Sequence, residues 1–450
     1  MSPDRDAWGE LLPRRLGLWS TVAVLVGSSI GSGIFRVPAG VAELLQQPGP
    51  VLLAWAVGGL IALCGALTYA ELAAALPRSG GVFAYIFEGF GPLPAFLFGW
   101  SELAVIRASA LGAIATIFAE YLGYFTPLTP SQVRYVAAAG VVVVALVNYL
   151  GVRNAAWFMN GITAAKYAAL IGLALLGLAL GSRDAPHLAE PWVGGSLRLS
   201  LLGTALISVM WTYDGWADAA LVGGEVRDPG RTLPRALILG TAALVLVYLL
   251  VNVVFIYLVP LPEMARAPLV AAAAADRIPL LAGAGGAVVS AIVMVSCFGA
   301  LNGSMMTGPR IFFAMADRGL FFRRIARVSP RFQSPSVAIW LAAGLGVVYV
   351  LFNDFQQLAD KFILGIWPFY ALAVAAVFVL RRARPDLHRP YRTWGYPVVP
   401  LLFLLASAGI VLNALWTDPV NTGITLGIIL AGIPLYFGWR RWWGPANRSC

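Results

Sequence analysis

Long apolar stretches recur along the whole chain, and short segments with charged residues, glycine or proline separate them. Each stretch is about 20 residues long, which suffices for an α-helix to cross the hydrocarbon core of a bilayer. The pattern predicts an all-α polytopic membrane protein with twelve transmembrane helices. The predicted spans are 17–44, 50–76, 93–123, 133–150, 157–181, 199–226, 232–259, 284–316, 335–352, 360–380, 398–415 and 422–439.

The first span contains an interruption. Gly31-Ser32-Gly33-Ile34-Phe35 places two glycines around a serine, and Pro38 follows shortly afterwards. Such a sequence breaks a membrane helix, and hydrocarbon cannot satisfy the backbone groups that a break exposes. The break must therefore be buried against other helices or line a wet cavity. Interrupted helices at mid-membrane depth are typical of transporter binding sites.

The sixth span contains a second candidate interruption in the segment 211–216, Trp-Thr-Tyr-Asp-Gly-Trp. A carboxylate next to glycine is costly in a lipid-facing helix, so we expect the chain to unwind there. Breaks in spans 1 and 6 are typical of two five-helix repeats of inverted topology, here with spans 11 and 12 added. Because Gly-x-Gly is also common on close-packing helix faces, the prediction depends on the matched pair of breaks.

This pattern divides the chain into five parts. A short polar tail, 1–16, precedes the first repeat, 17–181, and the second repeat spans 199–380. The segment 381–439 holds a loop and the last two spans, and 440–450 forms a second tail. The first apolar stretch lacks a small-residue cleavage site before the next span, so we expect it to remain as a transmembrane helix.

Charge fixes the expected orientation. The chain is 60% hydrophobic and only 12% charged, with a net charge of +10. If the N-terminus is cytoplasmic, 22 of the 31 basic residues fall on inner loops and tails and 6 on outer loops. The positive-inside rule then places both termini in the cytoplasm. Since the basic residues alternate with the spans, we expect no binding to nucleic acid.

Cysteine and histidine are sparse. Cys64, Cys297 and Cys450 are scattered, and the two histidines, His187 and His388, fall in loops. We therefore expect no disulfide framework, no metal site and no cofactor. An intramembrane enzyme would need a convergent catalytic constellation within the spans, so we expect no catalytic residues. A channel is disfavoured because no filter sequence is repeated.

Several motifs resemble, in order and spacing, the amino acid–polyamine–organocation superfamily and its L-type amino acid transporter branch. They are 31–35, 77–81, 213–216, 224–229, 233–235, 302–304 with Arg310, 384–385, 389–391 and 394–397. The resemblance implies the LeuT-type fold and an amino-acid substrate.

Animal members of this branch join a single-span partner through a cysteine between spans 3 and 4. The loop 123–132 has none, so we expect no disulfide-linked heavy subunit, and a bacterial inner (plasma) membrane protein fits better.

An amino acid is a zwitterion, and the two breaks offer complements to both of its charges. Free N–H groups near Ser32 and Gly33 begin a half-helix and suit the substrate carboxylate. Carbonyls near Ser29, Trp211 and Asp214 suit the ammonium, and glycine lets a ligand approach the backbone. The predicted substrate-binding residues are Ser29, Ile30, Gly31, Ser32, Gly33, Ile34, Trp211, Asp214, Gly215, Asn302 and Ser304.

Five of the candidate positions have specific interpretations. Trp211 matches the aromatic gate of the resembled family. Lys166 lies ~13 Å into span 5 and, by the resemblance, takes the place of a sodium ion; the alternative is a structural ion pair with Asp214 or Glu71. Asp214 itself either attracts a cationic group or caps the unwound turn. The pair Asn302 and Ser304 lines the side-chain pocket or mediates packing.

Two arginines within the spans complete the list. Arg36 either attracts substrate carboxylates or pairs with an acid, and Arg107 is expected to pair with Glu102. Together these features predict a sodium-independent secondary amino-acid transporter, either an exchanger or a facilitator, that works by alternating access in the lipid bilayer. The alternative is a proton-coupled amino-acid or polyamine symporter on the same fold.

Overall fold

The computed structural model describes residues 14–77, 80–150, 155–181, 198–281, 283–317, 325, 329 and 334–443, with backbone alone at 155–166, 309–310, 312–314, 316–317 and 442–443. These residues are almost entirely helical, and a single bridge, between Leu16 and Val226, is the β-type pairing among them. Most of the two predicted tails, 1–16 and 440–450, lies outside the described residues.

The described helices follow one another with short connections. In chain order they are α1 (Leu18–Ser29), α2 (Gly33–Leu45), α3 (Pro48–Ala75), α4 (Gly81–Phe90), α5 (Pro92–Ser101), α6 (Arg107–Leu122), α7 (Pro130–Tyr149), α8 (Ala155–Leu180), α9 (Leu199–Tyr213), α10 (Pro229–Leu258), α11 (Leu261–Met264), α12 (Val270–Asp276), α13 (Gly285–Asp317), α14 (Ser336–Phe352), α15 (Phe355–Ala383), α16 (Val398–Thr417) and α17 (Pro419–Trp443).

Eight of the described helices are long and apolar enough to cross a membrane: α3, α7, α10, α13, α15, α16, α17 and the continuous α5–α6 helix. The pair α1 and α2, bent by 46°, forms a ninth such element. These nine coincide with nine of the predicted spans, and the polytopic helical prediction is confirmed. Predicted spans 6 and 9 coincide with the shorter apolar helices α9 and α14, and span 5 with α8, whose side chains are described from Tyr167 onward. The number twelve and the inverted repeat therefore stay predictions.

The first interruption lies where the glycine pair predicts it. The backbone N–H of Ile30 donates to Val26 O and closes α1, while Phe35 N–H donates to Ser32 O and opens α2. The residues between the two helices lack a regular ladder of hydrogen bonds. The first span is therefore two half-helices that meet at 30–32.

The second interruption also lies at its predicted place. α9 ends at Tyr213, Asp214 takes an extended ψ of 151°, and Gly215 adopts a φ of +104° that favours glycine. Beyond it the chain forms two 3-10 turns, 216–220 and 223–225, instead of the helix predicted to continue to residue 226. Two further glycines, Gly223 and Gly224, disfavour a regular helix in this stretch.

Candidate substrate site at two interrupted helices

The two interruptions are in direct contact with each other. A Cβ atom on Gly33 would lie 2.8 Å from Thr212 Oγ1 and 3.0 Å from Thr212 Cα. A Cβ atom on Gly215 would lie 2.8 Å from the backbone nitrogen of Ser29. Backbone meets backbone at both points, so only glycine fits there without displacing a half-helix.

One side of this junction offers hydrogen-bond donors. Gly33 and Ile34 begin α2, so their N–H groups have no preceding helical carbonyl to bond. Ser32 precedes the helix without a side-chain capping bond. The helix dipole adds partial positive charge at the same place. This end of α2 can bind an anionic group such as a carboxylate.

The other side of the junction offers acceptors. The carbonyl groups of Trp211, Thr212 and Tyr213 face the end of α9, where no further helical N–H follows. The predicted acceptor on the first span, the carbonyl of Ser29, already has hydrogen-bond partners. Ser29 O accepts from the hydroxyl of Tyr248 at 2.7 Å and from Gly31 N–H at 2.8 Å. Both lone pairs of that oxygen are used, so the end of α9 is the better site for a cationic group.

Asp214 lies at the end of α9 with one firm side-chain contact. The hydroxyl of Tyr370, on α15, donates to Asp214 Oδ1 at 2.8 Å. The backbone N–H of Asp214 bonds to Met210 O and ends the helix. Its carboxylate also accepts a hydrogen bond from the backbone N–H of Gly215. The arrangement is compatible with both interpretations of Asp214, attraction of a cation and capping of the turn.

Three tyrosines that were not predicted hold the interruptions in place. Tyr248 and Tyr370 make the contacts given above, and the hydroxyl of Tyr121 donates to Phe35 O at 2.8 Å. All three residues are buried. Tyr248 and Tyr370 lie in the middle of their helices, far from an interfacial aromatic belt. Their mid-span position is the sequence signal that could have identified them, because a buried hydroxyl needs a partner.

Trp211 lies on the α2 side of the junction within an aromatic cluster. Its ring meets Phe362 edge to face with centroids 4.8 Å apart, and Phe355 at 6.3 Å. Only 8% of Trp211 is exposed. The cluster joins α9 to α15.

Arg36 pairs with an acid, one of its two predicted roles. Its Nε lies 2.8 Å from Glu120 Oε2 on α6, and both side chains are largely buried. The guanidinium also lies 5.3 Å from the centre of the Phe355 ring. Arg36 therefore ties α2 to α6 and to the aromatic cluster.

The predicted pair of Arg107 and Glu102 is confirmed, with Arg107 Nη2 and Glu102 Oε2 3.1 Å apart. Five residues along an α-helix turn a side chain by about 140°, which would separate the two groups. The stretch Glu102–Ile106 is instead a π-helical turn, whose i→i+5 bonds bring residues five apart close together. Such turns are frequent at functional sites.

The two candidate pocket residues of α13 point to different helices. Ser304 accepts a hydrogen bond from Arg107 at 2.8 Å and so faces α6. Asn302 accepts from the side chain of Asn148 on α7 at 2.8 Å. Ser304 is thus linked to the charged groups of α6, whereas Asn302 makes a contact between helices. Whether either contacts a substrate stays a prediction.

Lys166 lies in α8, but its side chain falls outside the described residues. Its neighbour Tyr167 faces α1, since a Cβ on Gly27 would lie 3.6 Å from the Tyr167 hydroxyl. This region of α8 therefore packs beside the first interrupted span. Among the residues whose side chains are described, no group of three or more His, Cys, Asp or Glu could hold a metal ion.

Two interrupted helices that touch inside a bundle of membrane-length helices define the class of secondary transporters. A sequence model described as "Amino acid permease" matches residues 16–439. The chain belongs to the amino acid permease family, within the superfamily that its motifs resemble.

Named relatives agree with this assignment over nearly the whole chain. The human b(0,+)-type amino acid transporter 1 is 32% identical, with 95% of this chain and 88% of the relative covered. The human cystine/glutamate transporter is 30% identical, with 95% and 85% covered. The serine/threonine exchanger SteT of Bacillus subtilis (strain 168) is 28% identical, with 96% and 98% covered. These relatives are transporters and exchangers of the L-type, not enzymes.

Proposed function

We propose that this protein is a sodium-independent secondary amino-acid transporter that works as an exchanger or a facilitator. The observation that carries the proposal is the direct contact of the two interruptions, Gly33 on Thr212 and Gly215 on Ser29. It brings helix ends of opposite polarity together inside an apolar bundle. A zwitterion has both charges that such a junction complements.

The substrate carboxylate binds at the start of α2, to the N–H groups of Gly33 and Ile34. The ammonium binds at the end of α9, to the carbonyls of Trp211 to Tyr213 and to Asp214. These groups belong to the backbone or lie next to it, so they recognise every α-amino acid alike. The side chain of the substrate points toward α6 and α13, where Ser304 and Arg107 lie.

The proposed transport cycle alternates access to this junction. Both termini are cytoplasmic in this proposal, because most basic residues then lie on the inner side, and the membrane is a bacterial plasma membrane. Trp211 and the Arg36–Glu120 pair then cover the outer side. The two interrupted helices each begin a five-helix repeat, 17–181 and 199–380, related by inverted topology. That symmetry would let the same site open to either side.

Lys166 provides the positive charge that a sodium ion provides in related proteins. The contact of Tyr167 with Gly27 supports this role, because it brings the neighbouring part of α8 to the first interruption. A fixed ammonium would make the site independent of an ion gradient. The competing function is proton-coupled symport, in which Lys166 or a nearby acid titrates during the cycle.

Purified protein in proteoliposomes tests the proposal. Vesicles preloaded with one amino acid should take up labelled amino acid equally well with external sodium or choline, and without a proton gradient. Uptake that requires inward sodium would contradict the proposal. Accumulation that occurs only with an inward proton gradient would establish the symporter instead.

The lysine role has a matched control, since Lys166 and Lys361 are the only lysines in the chain. Lys166→Ala should strongly reduce the rate of exchange, while the protein still inserts into the membrane. Lys361→Ala, near the start of α15, should leave the rate within about twofold of the parent. Equal rates for the Lys166→Ala variant and the parent would remove this residue from the mechanism.

The protein is also proposed to act without a disulfide-linked subunit. The loop 123–132 contains no cysteine, and Cys64 and Cys297 are both buried. The reconstituted protein alone should therefore exchange amino acids, and reducing agent should leave its mass on a gel unchanged. Activity that requires a second, cysteine-linked chain would contradict this part of the proposal.

A further inference from the structure

The last turn of α15 and the connection to the start of α16, together called the loop, are unusually basic. Residues 381–398 contain five arginines and a single acidic residue, Asp386. A loop of this charge would ordinarily be extended by self-repulsion. Here it is folded around the guanidinium of Arg389. That group donates to four backbone carbonyls at 2.8–3.3 Å, those of Leu380, Arg384, Pro385 and Leu387.

A buried carboxylate fixes the loop to the bundle. Glu71 of α3 is 2% exposed and accepts two hydrogen bonds from Arg381, at 2.9 and 2.6 Å. It also accepts from the backbone N–H and the hydroxyl of Thr393, each at 2.7 Å. Hydrogen bonds to a charged acceptor are stronger than neutral ones. The loop is therefore pre-organised, and ligand binding to it would cost little ordering entropy.

The fixed loop presents two exposed arginines, Arg382 and Arg392. Neither forms an ion pair with a described acidic residue. Arg384, by contrast, pairs with Glu88 at 2.6 Å, and the guanidinium of Arg381 stacks 3.7 Å from the centre of the Tyr396 ring. Because Arg381 and Thr393 both bind the Glu71 carboxylate, the adjacent Arg382 and Arg392 are held in the same region of the surface.

The apolar surface beside these arginines locates them relative to lipid. The exposed apolar side chains of α16 begin at Val398 and continue along the helix at Leu401, Leu402 and Leu405. Trp394, 74% exposed, and the half-exposed Tyr396 come immediately before them. Exposed aromatic residues at the start of a lipid-facing helix lie at the level of the headgroups. This position of Trp394 favours a place near the lipid phosphates for Arg382 and Arg392, which belong to the same loop.

We propose that this loop binds the phosphate of an anionic phospholipid headgroup, with Arg382 and Arg392 as its ligands and Trp394 against the acyl chains. The positive charge matches the negative surface of such a leaflet, which attracts arginines near the membrane. The site lies apart from the interrupted helices and does not depend on what the protein transports.

Quenching of Trp394 by brominated lipid tests the site in the intact protein. The signal is the difference between the parent and Trp394→Phe, in phosphatidylcholine nanodiscs with brominated phosphatidylglycerol or brominated phosphatidylcholine. We expect stronger quenching by phosphatidylglycerol, and a loss of about 30-fold in its apparent affinity for Arg382→Gln/Arg392→Gln. Equal quenching by both lipids would overturn the proposal.

A second pair of arginines supplies the control. Arg440→Gln/Arg441→Gln removes the same charge from the end of α17, and we expect its affinity for phosphatidylglycerol to equal that of the parent. An equal loss of affinity for phosphatidylglycerol in both double variants would mean that general surface charge attracts the lipid, and would overturn the proposed site. Inorganic phosphate at millimolar concentration should not displace the lipid, and displacement would assign the loop to a free anion instead.

Discussion

The two halves of the first span are packed very differently. Nine of the 13 residues of α2 are buried, but only three of the 12 residues of α1. The buried residues of α1, Thr21, Leu25 and Ser29, are spaced by four and form one stripe. α1 therefore packs on one side only, whereas α2 is surrounded. From this difference we predict that α2 is the fixed half of the span and α1 the half that moves.

The two halves are held by different contacts. α2 is held by Tyr121 and by Glu120 on α6, and by backbone contact with α9. α1 is held against α10 by Leu25, which packs on Gly240, and by Ser29, whose carbonyl accepts from the Tyr248 hydroxyl, and before its first turn by backbone bonds. There the N–H groups of Arg15 and Leu16 donate to Glu225 O, and Arg227 N–H donates to Leu16 O. The 14–17 segment thus fastens α1 to the chain beyond the second break.

The largest expected effect comes from closing the space between the breaks. Gly215→Ala would place a Cβ 2.8 Å from Ser29 N at a φ of +104°. Left-handed strain of about 1–2 kcal/mol adds to overpacking of about 1–3 kcal/mol. Substrate affinity should fall by about 30-fold or more, measured as binding of labelled amino acid to purified protein.

The matched control is Gly172→Ala on α8, where an added Cβ meets no atom within 4 Å. It should bind substrate as the parent does. Comparable substrate affinities for the Gly215→Ala variant and this control would mean that substrate binding does not require close contact between the two breaks.

The second-largest effect is expected from a substitution that weakens the contact between α2, the fixed half, and α6. Arg36→Gln leaves Glu120 without its partner, at a cost of about 1–3 kcal/mol for a pair that is largely buried. The native thiol of Cys297 reports on this region, because it is buried on α13, and α13 packs against the helix α6 that bears Glu120 and Tyr121. Labelling of Cys297 should accelerate about tenfold, in a background in which Cys64 and Cys450 are serine.

Arg134→Gln removes an exposed arginine from the start of α7 and serves as the control. It should leave the labelling of Cys297 unchanged. If the two arginine variants label at the same rate, the Arg36–Glu120 pair does not hold α2 in place. The burial of α2 alone must then explain why this half is fixed.

A smaller effect is expected from a substitution that weakens the attachment of α1, the moving half. Leu16→Pro removes the N–H that donates to Glu225 O, and a hydrogen bond of this kind contributes about 1 kcal/mol. Because the 14–17 segment fastens the start of α1, a Ser28→Cys reporter should label about fivefold faster with a membrane-impermeant maleimide. Leu16→Ala keeps the N–H and should label like the parent. Faster labelling in both variants would assign the effect to the lost side chain.

The interruptions could be predicted from local residues, and the contacts that hold them could not. Gly31, Gly33 and the Asp214-Gly215 pair break a helix through their own conformational preferences. The tyrosine donors lie 86, 219 and 156 residues from their acceptors along the chain. Such pairings depend on how the helices pack, which periodicity in a single sequence does not specify.

The same limit explains two further differences. Arg36 had two predicted roles, and only the packing of α2 on α6 brings Glu120 within 2.8 Å of it. The pair of Arg107 and Glu102 was predicted although five residues separate them. The π-helical turn that makes the pairing possible was not, because it has no residue signature of its own.

The smallest effect concerns how Phe355 supports the fixed half. Its ring lies 5.3 Å from the Arg36 guanidinium, a contact that contributes about 0.5–1 kcal/mol. Phe355→Leu should therefore speed Cys297 labelling about two- to fivefold, less than Arg36→Gln does. Phe352→Leu, at the exposed end of α14, should change nothing. In the Arg36→Gln background Phe355→Leu should add little, because its main partner is already gone. Full additivity of the two changes would mean that Phe355 acts through Trp211 alone, and that the aromatic cluster and the ion pair hold α2 independently.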